Sequence, residues 1–158
     1  WISHGFTTPG YLKEVALPAL ERGAAKSGRT LSDIEISLPS FVVTGTTEEE
    51  MAAAAQATKQ QIAFYGSTPS YKGVLDHHGW GDAQPELNLL SKRGDWVAMA
   101  DLIDDTMLAE FAVIAEPEHV AAGLAERYGG HVDRISFYAP YATDPDRWTP
   151  VINDILAI

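Results

Sequence analysis

The run VDRISFYAPY at 132–141 constrains the fold of this chain more than any other stretch. Ile135 and Phe137 alternate with Arg134, Ser136 and Tyr138, the period-two pattern of a strand with two unlike faces. Helix-like sequence ending in Gly129 and Gly130 precedes it, and Asp144 followed by Pro145 supplies an N-cap and a first helical residue after it. Strand, aromatic turn and capped helix read as one βα unit. Parallel α/β folds gather their functional groups at the C-terminal ends of such strands, where Tyr138 and Tyr141 fall.

The same unit recurs along the chain. Residues 1–3 read as a strand stub, His4 to Thr8 as the turn after it, and Thr8-Pro9 as the cap of a helix running to about Lys26. Pro18 is expected to kink that helix and Ser27-Gly28 to end it. The second strand is EISLPSFVVT at 35–44, where Pro39 removes a ladder donor and predicts a bulge or local irregularity. Thr47 with Glu50 makes a capping-box pattern that opens an Ala-rich helix to about Tyr65. Residues 66–110 break the rhythm with short helical pieces between Gly79, Gly81, Pro85 and Gly94. They are expected to form a helical insertion within a single domain of 1–158, outside the strand ring and near its C-terminal mouth. FAVIA at 111–115 is a short apolar strand, and the helix begun at Pro117 puts Val120, Leu124 and Tyr128 on one face. A last helix covers 144–156. This order predicts an α/β fold of four parallel strands, near 1–3, 35–43, 111–115 and 132–138, with crossover helices and neighbours in chain order.

Composition excludes several functions. The 158 residues are 46% hydrophobic with a formal net charge of −11, a globular chain without the basic surface that nucleic acid selects. No apolar run approaches the ~20 residues of a membrane span. With no cysteine there is neither a disulfide framework nor a thiolate zinc site, and a cytoplasmic location is expected. The chain opens on Trp1-Ile2-Ser3-His4, which reads as mid-strand, so a piece of a longer protein is expected.

Taken in order, ISHGFTTPGYLKEVALPALERGAAKSGR, EISLPSFVVTGTTEEEMAAAAQATKQQIAFYGSTPSY, FAVIAEPEHVAAGLAERYGG and VDRISFYAPY resemble the luciferase-like flavin and deazaflavin oxidoreductases. The branch dependent on coenzyme F420 is the nearest in pattern, with QQIAFYGSTPSY the most distinctive segment. EPEHVAAGL corresponds to a family turn usually preceded by glycine, where this chain has Ala115. The resemblance implies the C-terminal half of a (β/α)8 TIM barrel. The first four strands, the catalytic residues on early loops and a glycine-rich phosphate segment upstream of WISHGF have no counterpart here. Length agrees, since a complete barrel takes ~250 residues and four βα units with an insert fit 158.

By the same resemblance the turn containing Ser3, His4, Gly5 and Thr7 borders the substrate and the reactive deazaflavin ring. Thr44, at the end of the second strand, and Tyr138 and Tyr141, at the end of the last, complete the candidate pocket. His4 suits a donor or an acid/base, or else is a solvated loop histidine. Tyr138 either lines the ring pocket or fills the barrel, and Tyr141 either lines it or packs on the last helix. Arg134 suits a structural ion pair inside the barrel. By resemblance Phe64, Tyr65 and Tyr71 approach the substrate side of the barrel mouth, but they read first as aromatics packed beneath a loop. No metal site is expected: His77 and His78 are adjacent on a helix and point apart, and Asp101, Asp104 and Asp105 lack calcium-loop spacing.

The activity implied is hydride transfer between coenzyme F420 and a small organic substrate. An FMN-dependent monooxygenase of the same family is the first alternative. A catalytically inactive half-barrel that self-associates is the second, because a half-barrel has open strand edges that are liabilities unless they pair. Expected partners are a small-molecule substrate and a second copy of the chain, with neither nucleic acid nor membrane.

Overall fold

A computed structural model describes residues 1–157. Thr8 accepts from the Tyr11 N–H at 3.1 Å, Pro9 takes the first helical position, and α1 (Pro9–Tyr11) begins as its cap predicts. The chain then widens into a π-helical turn, Leu12–Ala16, before α2 (Leu17–Ala25). Pro18 stands just past that turn. The widened turn is how the helix accommodates a residue with no N–H to donate one turn back. Gly28, at φ +70°, ends the segment in the left-handed region that glycine enters without strain.

Strand β1 (Ser37–Val43) leads into α3 (Glu48–Gly66), capped by the Thr47 hydroxyl, which accepts from the Glu50 N–H at 3.1 Å. The reciprocal half of the expected capping box is displaced by one residue: the Glu50 carboxylate accepts from the Thr46 N–H at 2.7 Å. Helices α4 (Lys72–His77), α5 (Ala83–Arg93), α6 (Trp96–Asp101) and α7 (Asp105–Phe111) follow, and 66–110 carries no strand. Then come β2 (Ala112–Ile114), α8 (Pro117–Tyr128), β3 (Arg134–Tyr138) and α9 (Trp148–Leu156).

The strands are parallel, and the fold is α/β as expected, but their order corrects the sequence reading. β1 lies in the centre with β2 and β3 on either side. The stub at 1–3 is reduced to one parallel bridge, Ile2 to Ser37. Ser37 donates to the Trp1 carbonyl and accepts from the Ser3 N–H, both at 2.8 Å, and Val43 accepts from the Ala115 N–H at 3.1 Å. Since ladder groups alternate between the two edges of a strand, Ser37 and Val43 use the same edge. The stub and β2 are each too short to span the seven residues of β1, so they lie end to end along one edge. The other edge pairs with β3 from Ser37–Arg134 to Phe41–Tyr138.

That arrangement accounts for Pro39 without a bulge. Register runs unbroken through Pro39–Ser136. By alternation, the missing donor of Pro39 faces the gap between the stub, which turns away after Ser3, and β2, which begins opposite Phe41. The residue that cannot donate stands where no acceptor waits.

Helices cover both sides of the sheet. Phe41 and Val43 pack with Phe6, Ile62, Leu75, Leu87, Met99 and Phe111, so the helices of 72–111 share a core with one face. Leu38 and Val42 pack on the other side with Leu12, Val113, Leu124 and Val151. The two-faced reading of the last strand holds. Ile135 and Phe137 join the second cluster and Tyr138 the first. Arg134 departs from its expected interior pair: it meets Glu35 at 3.0 Å with both side chains exposed, a surface contact.

Candidate functional site

The turn after the stub is built by short local bonds. Ser3 is buried, and its Oγ donates to Thr7 Oγ1 at 3.2 Å across the turn. Phe6 donates its backbone N–H to Nδ1 of His4 at 3.0 Å while its ring stacks on Phe111 at 4.6 Å, anchoring the turn in the core. At Gly5 an added Cβ would come within 3.2 Å of Tyr138 Cδ1, so the backbone closes on that ring only because the residue has no side chain. Ser3, His4, Gly5 and Thr7 are therefore brought together, as their sequence proximity required, and Tyr138 joins them from β3.

His4 is exposed, yet its ring lies edge-on to Tyr65 at 4.6 Å and beside Tyr71 at 4.7 Å. Tyr65 comes from the last turn of α3, and Tyr71 from the 3-10 turn Pro69–Tyr71. The Tyr138 ring stacks on Phe41 at 4.7 Å, and its hydroxyl is 2.9 Å from that of Tyr65. Burial, with the Tyr65 bond second, pushes the Tyr138 hydroxyl up to about 12. Partial burial lowers His4 from its ordinary value. The ring is thus biased towards neutrality. Among the described residues its Nε2 makes no hydrogen bond, and it is the free end of the group.

Thr44 and Tyr141 form a separate corner. The Tyr141 hydroxyl donates to the Val42 carbonyl at 2.8 Å and accepts from the Thr44 N–H at 3.1 Å, so it extends the end of β1 with a side chain. Tyr141 joins the residues packed around Phe41 and Val43. Burial raises its hydroxyl, against the opposing effect of the Thr44 bond. Thr44 Oγ1 is buried with no partner among the described residues. Next to it, the Glu50 carboxylate accepts from Thr46 Oγ1 at 2.9 Å and from Arg147 at 3.0 Å. The Thr46 backbone and hydroxyl bonds, followed by Arg147, hold Glu50 down at about 2.

The sequence favoured Tyr65 and Tyr71 as packing aromatics over a place at the mouth, and the structure puts both in contact with His4. The available signal was the FYGSTPSY break, where Gly66 and Pro69 end one helix and turn two aromatics back towards one point. His78 was also missed: its Nε2 is 2.7 Å from the hydroxyl of Thr8, and its ring stacks on Trp80 at 4.5 Å. Its neighbour His77 turns instead to Glu14, at 3.6 Å. Asp104 caps α7 and Asp105 pairs with Lys59 at 2.7 Å. The carboxylates of Glu116 and Glu118 and the ring of His119 lie within 4.8 Å of one another, all exposed. A groove of about 440 Å³ runs between α8, α9 and the start of β3, lined by Leu124, Tyr128, Val132 and Ile135. No helix among the described residues is long and apolar enough to cross a membrane.

A parallel sheet with helices on both faces, and a turn after a strand in which His4 meets Tyr65, Tyr71 and Tyr138, defines an α/β domain of barrel type with a polar, aromatic mouth. The model of the family described as luciferase-like monooxygenase matches residues 1–134, and the chain belongs to that family. An uncharacterized protein of Mycobacterium tuberculosis is 52% identical over 134 residues, which cover 85% of this chain and 39% of that protein. The 5,10-methylenetetrahydromethanopterin reductase of Methanopyrus kandleri is 27% identical over 135 residues, 85% of this chain and 38% of the reductase. The solved coenzyme F420-dependent tetrahydromethanopterin reductase of the same organism superposes with a TM-score of 0.63 at 25% identity, over 82% of this chain and 36% of its own. The chain spans about two fifths of the length of these relatives, and its three-stranded sheet is a partial barrel.

Proposed function

We propose that this chain supplies the C-terminal half of a luciferase-like oxidoreductase of the cytoplasm that transfers a hydride between coenzyme F420 and a small organic substrate. The observation that carries the reading is the mouth itself. An exposed histidine with a free Nε2 stands beside Tyr65 and Tyr71, at the strand ends where barrel enzymes work. Similarity to an F420-dependent reductase supports the choice of coenzyme.

The residues present fit the ring end of such a group. Tyr65 and Tyr71 offer flat apolar surface, Gly5 permits close approach, and His4 Nε2 and the buried Thr44 Oγ1 are polar atoms left without partners among the described residues. The deazaflavin, when bound, supplies the hydride chemistry. His4, Ser3 and Thr7 would orient the reacting partners from the turn, Tyr138 and Tyr65 would wall the site against water, and Thr44 would bind from the end of β1. Tyr141 would contribute the surface of its ring, since its hydroxyl is bonded to β1. The outer edge of β3, unpaired among the described residues, is the surface for association with further chain or with a second copy.

Fluorescence titration of the full-length protein with F420 and, separately, with FMN tests the reading. Saturable binding of F420 in preference to FMN is expected. Tight FMN binding without F420 binding transfers the site to the monooxygenase alternative. Binding of neither, with concentration-dependent association, leaves the non-catalytic alternative.

A further inference from the structure

Two polar groups at the mouth are constrained in a way that sets their chemistry. The Phe6 N–H donates to His4 Nδ1 at 3.0 Å. An imidazole nitrogen that accepts a bond carries no proton, so the neutral ring must hold its proton on Nε2. Protonating the ring would put an N–H on Nδ1 against the N–H of Phe6, in a turn held by the Ser3–Thr7 bond and by the Phe6 ring in the core. His4 is thereby kept as a donor. It has little use as a base through Nδ1 and none through Nε2 until it loses that proton.

The second group is the hydroxyl pair of Tyr65 and Tyr138, 2.9 Å apart. Two hydroxyls carry two protons, and one bond between them uses one. Whichever oxygen accepts keeps a hydrogen free to donate elsewhere. Both side chains are half-buried, and the Tyr65 ring touches His4 at 4.6 Å. The mouth therefore presents an imidazole N–H and a phenolic O–H on neighbouring rings with no cation on either, a pattern suited to a ligand oxygen that gains negative charge.

We propose that His4 and the Tyr65–Tyr138 pair form a two-donor site for a carbonyl oxygen of the ligand, with His4 acting as a neutral Nε2–H donor and not as a proton-transferring acid or base. This deepens the oxidoreductase reading and rests on it for the claim that a reacting molecule occupies the mouth. In hydride transfer from the reduced deazaflavin to a carbonyl carbon the C–O π pair moves onto oxygen, which then takes its proton from water, and two neutral donors near that oxygen would favour the charge-shifted state over the ground state.

The test uses 4-nitrophenol, whose anion mimics such an oxygen, titrated into the full-length protein and followed by visible absorption. Saturable binding of the anion is expected. The double variant Tyr65→Phe with Tyr138→Phe, and His4→Asn, should each weaken it about tenfold or more, as loss of one bond to a charged acceptor does. Asparagine can still accept from the Phe6 N–H but stops short of the Nε2 position, and circular dichroism checks that both variants fold. Long-range nitrogen–proton correlation spectra of the histidines should show His4 as the Nε2–H tautomer, remaining so at pH values where an ordinary histidine, near ~6.5, is half charged. Failure of the wild type to bind the anion, unchanged binding in both variants, or an Nδ1–H tautomer each overturns the proposal. The F420 titration separates the two readings. F420 binding with no anion site sinks the donor pair alone, whereas an anion site without F420 binding sinks the coenzyme reading alone.

Discussion

The His4 turn leaves the stub beside the start of β1 and the Thr44–Tyr141 corner closes its far end; the two were expected to serve one pocket, but they are built oppositely. In the corner, one hydroxyl bridges two backbone groups of β1 and a carboxylate is bonded to Thr46 and Arg147, while Thr44 Oγ1 is left without a partner among the described residues. In the turn, backbone and hydroxyl bonds fix the loop and leave the His4 Nε2 without a partner among the described residues. Satisfied polar groups hold a fold together. A positioned group left unsatisfied is available to something else. The comparison teaches that tyrosines three residues apart at one strand end can take opposite roles.

The sharpest break of that contrast is Tyr141→Phe. It removes both bonds and leaves the Val42 carbonyl and the Thr44 N–H unpaired, so stability should fall by about 2 kcal/mol in urea unfolding. A change under about 0.5 kcal/mol would mean that the corner is not held by the hydroxyl. Gly45→Ala should cost ~1–3 kcal/mol by crowding, because an added Cβ would sit 2.7 Å from Glu50 Cβ and 2.8 Å from the Met51 nitrogen. Thermal melts of that variant beside Gly23→Ala, where nothing lies within 4 Å, isolate the close approach.

The Glu50 arrangement predicts a pH signature. Its carboxyl is held at about 2 against an ordinary 4.5, so its contribution is complete above the ordinary value and is lost as pH falls towards 2. Glu50→Gln should flatten that part of the acid limb in unfolding curves, and an unaltered limb would count against the bonded carboxylate. The smallest expected change in stability is at the turn. His4→Asn can keep the bond to the Phe6 N–H within the turn, so its unfolding free energy should stay within about 0.5 kcal/mol of the parent. A larger loss would make His4 a structural residue and erase the contrast.

Local chemistry was legible where it is set by neighbours in the chain. Thr8-Pro9 and Thr47 cap helices as read, Asp144 caps not α9 itself but a 3-10 turn, Pro145–Arg147, that leads into it, and the alternation in RISFY splits Ile135 and Phe137 from Tyr138 across two cores. Family membership was legible too, carried by motifs spread over most of the chain. Strand order was not: nothing in 111–115 says that β2 shares an edge with the stub, because that depends on the lengths of all four segments at once.

What the sequence determined by itself is therefore the alternation of strand and capped helix, the parallel α/β class and the cluster of polar residues in the turn at 3–8, all properties of residues within one or two helical turns of each other. Tertiary structure alone decided that Pro39 faces a gap, that Tyr141 closes β1 while Tyr138 pairs with Tyr65, and that His4 meets Tyr65 and Tyr71. Each of those contacts joins residues from 35 to 99 positions apart or depends on such a pairing. Only packing of the finished sheet and helices brings such residues within hydrogen-bond or ring-contact reach.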